Sequence, residues 1–328
     1  MDFLLTPLTS EIAGTPAWLW LSFIAVVLAL LAFDLGVLHK DDKELSIAES
    51  LKLSAFYIFI AVLFGGWIWH SMGSEASLQY FTGYAIEKAL SIDNVFVISL
   101  IFGYFAVPRA YQYRALVWGI IAVLVLRGLM IGVGAALVQE YDWILLLFGA
   151  FLVFTGVKML LAKEGEADVS RNPVVRALSR WMRVTPQLEG QKFFVRRPHP
   201  KTGRLVLWAT PLFLALVVIN IADLVFAVDS VPAIFAITTN TYIVFTANIM
   251  AILGLRALYF ALAAMVHRFE YLKYALSAVL VFIGAKIFWN HFYGKLDPAI
   301  SLGVTLAIIA AGIGYSLWKT RGETSPAA

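Results

Sequence analysis

The chain has 328 residues, 61% of them hydrophobic and only 14% charged, with a formal net charge of +4 and a mean hydropathy of +0.83. That is too little polar surface to cover a water-soluble globule, so composition excludes that class and leaves a polytopic, all-α membrane protein. No cysteine is present, which removes disulfides, thiolate metal sites and thiol redox chemistry together.

Apolar runs near the twenty residues needed to cross about 30 Å of hydrocarbon fall at 17–38, 50–70, 80–105, 114–138, 142–162, 208–237, 241–266, 272–291 and 298–318, giving nine predicted spans. The first has no basic leader and no small-residue cleavage site ahead of it, so it reads as a retained helix. Loop charges alternate as cytoplasmic and external loops should. The tail before Trp18 and the loops 71–79, 139–141 and 238–240 lack Lys and Arg. The other side collects Lys40, Lys43, Arg109, a run from Lys163 to Arg204, Arg268, Lys273, Lys319 and Arg321, and only Lys295 departs from the pattern. The expected topology puts the N-terminus outside and the C-terminus in the cytoplasm of a plasma (inner) membrane. The positive balance thus reports orientation and contact with anionic lipid; it does not imply a nucleic-acid partner.

Between the fifth and sixth spans, "NPVVRALSRWMRVTP" sets Val174, Leu178, Trp181 and Met182 on one helical face and Arg176, Arg180 and Arg183 on another. Asn172 and Pro173 suit a helix start and Pro186 a stop, which predicts an interfacial amphipathic helix against anionic headgroups. The following "KFFVRRPHPKTGRLVLWA" alternates around a Pro/Gly turn and predicts a small hairpin.

The chain also repeats itself. Glu87-x5-Asp93-Asn94-Val95 matches Asp223-x5-Asp229-Ser230-Val231; "VLRGLM" with Arg127 answers "GLRALY" with Arg256; "LVFTGVKM" with Lys158 answers "LVFIGAKI" with Lys286. Spans three to five therefore recur as six to eight, and an odd number of spans per unit requires the second unit to be inverted. The expected organisation is one transmembrane domain over 1–328. Residues 17–79 form two peripheral helices, 80–162 the first repeat, 163–207 the cytoplasmic loop, 208–291 the second repeat and 298–318 the ninth helix.

Ionisable groups inside a bilayer are costly and mark function by default. Taking the third span from residue 80, Glu87 lies about 10 Å and Asp93 about 20 Å from its start at 1.5 Å per residue. Six residues on a regular helix turn by about 120°, so Glu87 and Asp93 cannot both face one small ion. Either the helices unwind at Asp93-Asn94 and at Asp229-Ser230, where Pro232 follows, or the site takes one acid from each repeat. Glu87 shares a face with Asn94, and Asp223 with Ser230, with Asn220 a turn earlier. The donors are all hard oxygen, which suits Mg²⁺, Ca²⁺ and Mn²⁺. The methionines are scattered, and the five histidines, His39, His70, His199, His267 and His291, lie in loops or near span ends, so zinc and copper are disfavoured. Against this stands internal pairing of the acids with Lys88, Arg127, Lys158, Arg256 and Lys286; Arg127 and Arg256 are the expected structural counter-ions, and Asp34 a structural acid.

No zincin motif, nucleophile elbow or phosphate-cradling glycine loop occurs, so no enzyme and no resident cofactor is expected. The stretches "GYAIEKALSIDNVFV", "FGAFLVFTGVKM", "ATPLFLALVVINIADLVFAVDSVPAIFAITTN" and "AILGLRALYF" resemble the TerC family of integral membrane proteins, its Alx-type members especially. The resemblance covers nearly the whole chain. It implies nine spans, kinship with LysE-type exporters and export of manganese from the cytoplasm, and names built on tellurium resistance also attach to the family. Carried onto this sequence, its acidic positions are Glu87, Asp93, Asp223 and Asp229, with Asn94 and Ser230 beside them. The reading is a secondary transporter of a divalent metal ion, most readily Mn²⁺, working by alternating access, with protons as a candidate counter-ion. The alternatives are a membrane-protein assembly or insertion factor and a passive divalent cation channel. The oligomeric state is not legible.

Overall fold

The computed structural model describes residues 11–36, 46–141, 143–161, 182–198, 204–263, 271–294 and 296–320, with the side chains of Asp93 and Asp229 outside that description. Ten helices carry it: α1 Ala17–Gly36, α2 Ile47–Met72, α3 Ser74–Tyr104, α4 Arg109–Glu140, α5 Trp143–Leu161, α6 Pro211–Phe235, α7 Thr241–Leu253, α8 Leu255–Leu262, α9 Leu272–Phe292 and α10 Pro298–Lys319. Among the described residues, eight helical stretches are long and apolar enough to cross a bilayer, with α7 and α8 counted together. The ninth is α3. Its 31 residues carry Glu75, Glu87, Lys88 and Asp93, which hold down its hydropathy, yet at 1.5 Å per residue it is roughly 46 Å long. The protein is an all-α membrane protein, as composition requires.

Local chemistry sets the helix ends. Ser46 and Glu49 form a capping box on α2, the Ser46 hydroxyl accepting from the Glu49 amide while the Glu49 carboxylate accepts from the Ser46 amide. Thr210 caps α6 ahead of Pro211, and Asn240 Oδ1 accepts from the amides of Tyr242 and Ile243 to start α7. Asp297 caps α10 ahead of Pro298. Among the described residues there are also two short antiparallel strand pairs. Strands β1 Glu11–Ile12 and β2 Thr15–Pro16 meet through Ala13 and Gly14, both at positive φ (51° and 72°), as a two-residue hairpin turn demands. Strands β3 Phe194–Pro198 and β4 Leu205–Ala209 pair antiparallel with Phe194 opposite Ala209, in the segment whose alternation predicts a hairpin. The predicted amphipathic helix over 172–186 lies largely outside the described residues.

The helices exchange partners in an orderly way: α3 packs on α7, α4 on α6, α5 on α9, and α3 also on α6. The α5–α9 contact is a close approach of backbones. A Cβ on Gly284 would sit 2.7 Å from the Gly149 carbonyl oxygen, and one on Gly156 would sit 2.8 Å from the Ser277 carbonyl oxygen. Without a hydrophobic drive between helices in lipid, such small-residue seams supply the packing. Leu21, Leu28, Phe59, Leu63, Val125, Leu129, Phe154 and Leu161 are exposed, as a lipid-facing surface requires. The stretch 241–262 is the opposite, 83% buried against 22% for α5 and for α10, so α7 and α8 run through the middle of the bundle.

One expectation is corrected here. Neither α3 at Asp93-Asn94 nor α6 at Asp229-Ser230 unwinds; both run on as helix, and Pro232 is absorbed within α6. The interruption falls between α7 and α8, at Gly254. Its place is explained by crowding. A Cβ on Gly254 would lie 2.9 Å from Lys88 Nζ and 3.1 Å from Tyr57 Cβ, and Lys88 Nζ donates to the Ala251 carbonyl oxygen at 3.2 Å, one of the carbonyls at the end of α7.

Candidate functional site

Three helices bring charge to one point partway along their length. Because α3 starts at Ser74, six residues before the apolar run suggested, Glu87 lies about 20 Å from one end and about 25 Å from the other. Arg127 sits near the middle of α4, and Asp223 halfway along α6. All three are buried. An arginine there must be matched by acceptors, since guanidinium in a dry bundle is expensive, and Arg127 is matched on every side. Nε and Nη2 donate to the two oxygens of Asp223 at 3.1 and 3.0 Å, a bidentate fork. Nη1 donates to Glu87 Oε1 in a close ion pair, to Ser230 Oγ at 3.0 Å and to Asn248 Oδ1 at 3.4 Å.

Two amides tie the acids to the bundle. Asn248 Nδ2 donates to Glu87 Oε2 at 3.0 Å, and Asn94 Nδ2 donates to Asp223 Oδ1 at 3.3 Å. Asn94 is buried, and its Oδ1 has no hydrogen-bond partner. An orphan carbonyl oxygen in that position is costly unless something electropositive reaches it. Beside the cluster is a cavity of about 100 Å³. Glu87, Asn94, Arg127 and Ser230 line it together with Thr155 and Met159 of α5 and the apolar Leu90, Phe226 and Leu280. Two carboxyl groups and one guanidinium thus meet at the edge of a mainly apolar cavity.

The candidates from sequence divide as follows. Glu87, Asn94, Asp223 and Ser230 meet. Asn220 does not join them: its Nδ2 donates to the Leu216 carbonyl of its own helix at 2.7 Å. The backbones of Asp93 and Asp229 lie within α3 and α6. Asn248 was not singled out, although a lone amide in an apolar span is a legible signal; Thr155 and Met159 gave no signal in an apolar run.

The two arginines that occupy matching places in the repeat are used differently. Arg127 joins acids from both halves. Arg256 donates to Asp34 of α1 and to the Tyr113 hydroxyl, with its guanidinium 4.5 Å from the Tyr113 ring centroid. It is therefore a tether for the first helix. The matching lysines also part ways: Lys158 is exposed, whereas Lys286 is buried and donates to Ser301 Oγ of α10 at 3.0 Å.

Comparison with known proteins agrees with this architecture. The sequence profile of the integral membrane protein TerC family matches residues 72–324. A membrane protein of Rickettsia bellii is 46% identical over 294 residues, covering 90% of this chain and 95% of its own. One from Myxococcus xanthus, STKORF319, is 44% identical over 308 residues, covering 94% of each. Alx of Escherichia coli K12, named as a membrane-bound redox modulator, is 43% identical over 314 residues, covering 93% of this chain and 95% of its own. No solved structure matches. The chain belongs to the TerC family of integral membrane proteins.

Proposed function

We propose that this protein is a secondary transporter that exports a hard divalent cation, Mn²⁺ first, with Ca²⁺ and Mg²⁺ as weaker substrates. One observation carries the reading: Glu87 and Asp223, matched positions of the sequence repeat, converge on Arg127 beside a cavity lined by Glu87 and by the buried Asn94, whose Oδ1 has no hydrogen-bond partner. Helix glue alone requires neither a second carboxyl group nor the cavity. Carboxylates can accept more than one contact each, so an entering cation can compete with Arg127 for Glu87. Asp93 and Asp229 are the further acids of the proposal on sequence grounds.

The reciprocal packing of α3 on α7 and α6 on α4, with α5 against α9, is what two inverted three-helix units would produce, and it supports alternating access about the shared site. Closely packed carboxylates can exchange protons for a divalent ion, which makes a proton gradient a reasonable energy source. On the loop-charge argument the C-terminus is cytoplasmic, the direction of transport is outward, and the basic loop after α5 rests on anionic lipid.

Cellular manganese in cells expressing the wild type, Glu87→Gln or Asp223→Asn tests the reading. Wild type should lower manganese, and each variant, confirmed to be inserted, should leave it at the level of cells without the protein. Equal manganese in all three would favour a role in membrane-protein assembly; flux that ignores every counter-ion gradient in proteoliposomes would favour a channel.

A further inference from the structure

We infer that one face of the β3–β4 strand pair docks on an anionic bilayer leaflet, with leucines entering the apolar layer and arginine at the headgroups. This deepens, and rests on, the reading above that the basic loop after α5 lies on anionic lipid. The register divides the pair into two faces. Residues directly opposite each other on paired strands point to the same side of a sheet, so Phe194, Arg196, Leu205 and Leu207 share one face and Val195, Arg197, Val206 and Trp208 the other. The second face is turned to the protein: Val195, Val206 and Trp208 are half-buried, and Arg197 is paired with Glu189. The first is bare. Leu205 is 68% exposed, Leu207 60% and Phe194 41%, and Arg196, opposite Leu207, is exposed with them.

Continuity, reach and charge select lipid as its cover. Thr210 alone separates β4 from the membrane-crossing α6. The Phe194 ring lies 4.4 Å from that of Phe213 in the first turn of α6, so the bare face begins where the helix enters the bilayer. The strands are anchored there: Thr210 donates through its amide to the Phe193 carbonyl and through its hydroxyl to the Lys192 carbonyl, and Arg114 of α4 lies over the Phe193 ring. Leu205 is six residues ahead of Pro211, a reach of about 20 Å at 3.3 Å per residue. The pair therefore either stands off into water with its leucines wet, which is unfavourable, or lies along the leaflet with them covered. Charge decides the kind of leaflet. From 182 to 209 the sequence has one acid, Glu189, against Arg183, Lys192, Arg196, Arg197, Lys201 and Arg204, and basic residues rimming an apolar face bind anionic lipid.

The chain has no cysteine, so a nitroxide label can be placed at Leu207→Cys on the bare face or at Arg197→Cys on the opposite one, in the full chain in phosphatidylcholine nanodiscs with or without phosphatidylglycerol. Collisions of the label with oxygen, which concentrates in hydrocarbon, are compared with collisions with a water-soluble nickel chelate. In anionic discs the label at 207 should favour oxygen severalfold more than the label at 197. Replacing Arg196 and Arg204 with glutamine, or leaving out phosphatidylglycerol, should remove most of that difference. A label at 197 that reaches hydrocarbon as well as the one at 207 overturns the face assigned here and leaves the loop on lipid. Both labels in water overturn the lipid contact of the loop and this inference with it. A label at 207 shielded from both probes marks a protein contact and overturns the inference, and oxygen preference at 207 that is equal in neutral discs overturns its selectivity for anionic lipid.

Discussion

Replacing Arg127 with glutamine is expected to cost about 3–5 kcal/mol of stability, the range measured when one partner of a buried ion cluster is removed. The reason is specific to this site. Among the described residues Arg127 is the one guanidinium that joins Glu87 to Asp223, and it also serves Ser230 and Asn248. Its loss leaves two carboxylates facing each other in a dry interior. Lysine should rescue little, because a single ammonium cannot fork onto both oxygens of Asp223 while reaching Glu87. The informative variant is the neutral triple, Arg127→Gln with Glu87→Gln and Asp223→Asn, which removes the charge imbalance and should recover most of the stability with no metal transport. Thermal unfolding of detergent-purified protein reads all of these. Arg127→Gln melting with wild type would show that the cluster is not ionic in the way its geometry implies.

Asp34→Asn should destabilise by a similar amount, about 3–5 kcal/mol, yet leave transport per folded molecule unchanged. Arg256 is buried, its Nε has no partner, and its ionic partner is Asp34 at the end of α1. Neutralising that acid strands a guanidinium against the Tyr113 ring and hydroxyl and loosens α1 from the bundle. A double replacement of Asp34 and Arg256 by leucine should regain stability, as apolar substitutes for buried ion pairs often do. Melting temperature and Mn²⁺ uptake measured on the same preparations separate this tether from the Arg127 cluster, where stability and transport should fail together. Loss of transport without loss of stability in Asp34→Asn would mean that Arg256 belongs to the substrate path.

Eight of the predicted spans were legible because a bilayer imposes length and hydropathy directly on sequence, whereas the polar residues of the remaining one also move its start. That is why α3 begins at Ser74. The acids were legible for the same reason: Glu87 and Asp223 are too expensive to miss in a greasy run. Of the two alternatives left open, unwinding near Pro232 does not occur, since Pro232 is a local signal while the interruption at Gly254 follows from crowding by Tyr57 and Lys88, residues distant in sequence. Likewise the repeat pattern made Arg127 and Arg256 equivalent, and only the fold brings Asp34 from outside the repeats to claim one of them. Met159 was invisible because methionine in an apolar helix carries no signal until the cavity it lines is known.

The central claim is that carboxylates from the two halves bind a divalent metal at mid-membrane, and the most direct measurement is anomalous scattering from Mn²⁺ in crystals of the protein. The account predicts a manganese peak beside Arg127, with oxygens of Glu87 and Asp223 at roughly 2.0–2.6 Å, the range for such ions, and with Arg127 drawn away from both. Manganese found only at surface carboxylates, with Arg127 still joining Glu87 to Asp223 at saturating metal, would contradict it.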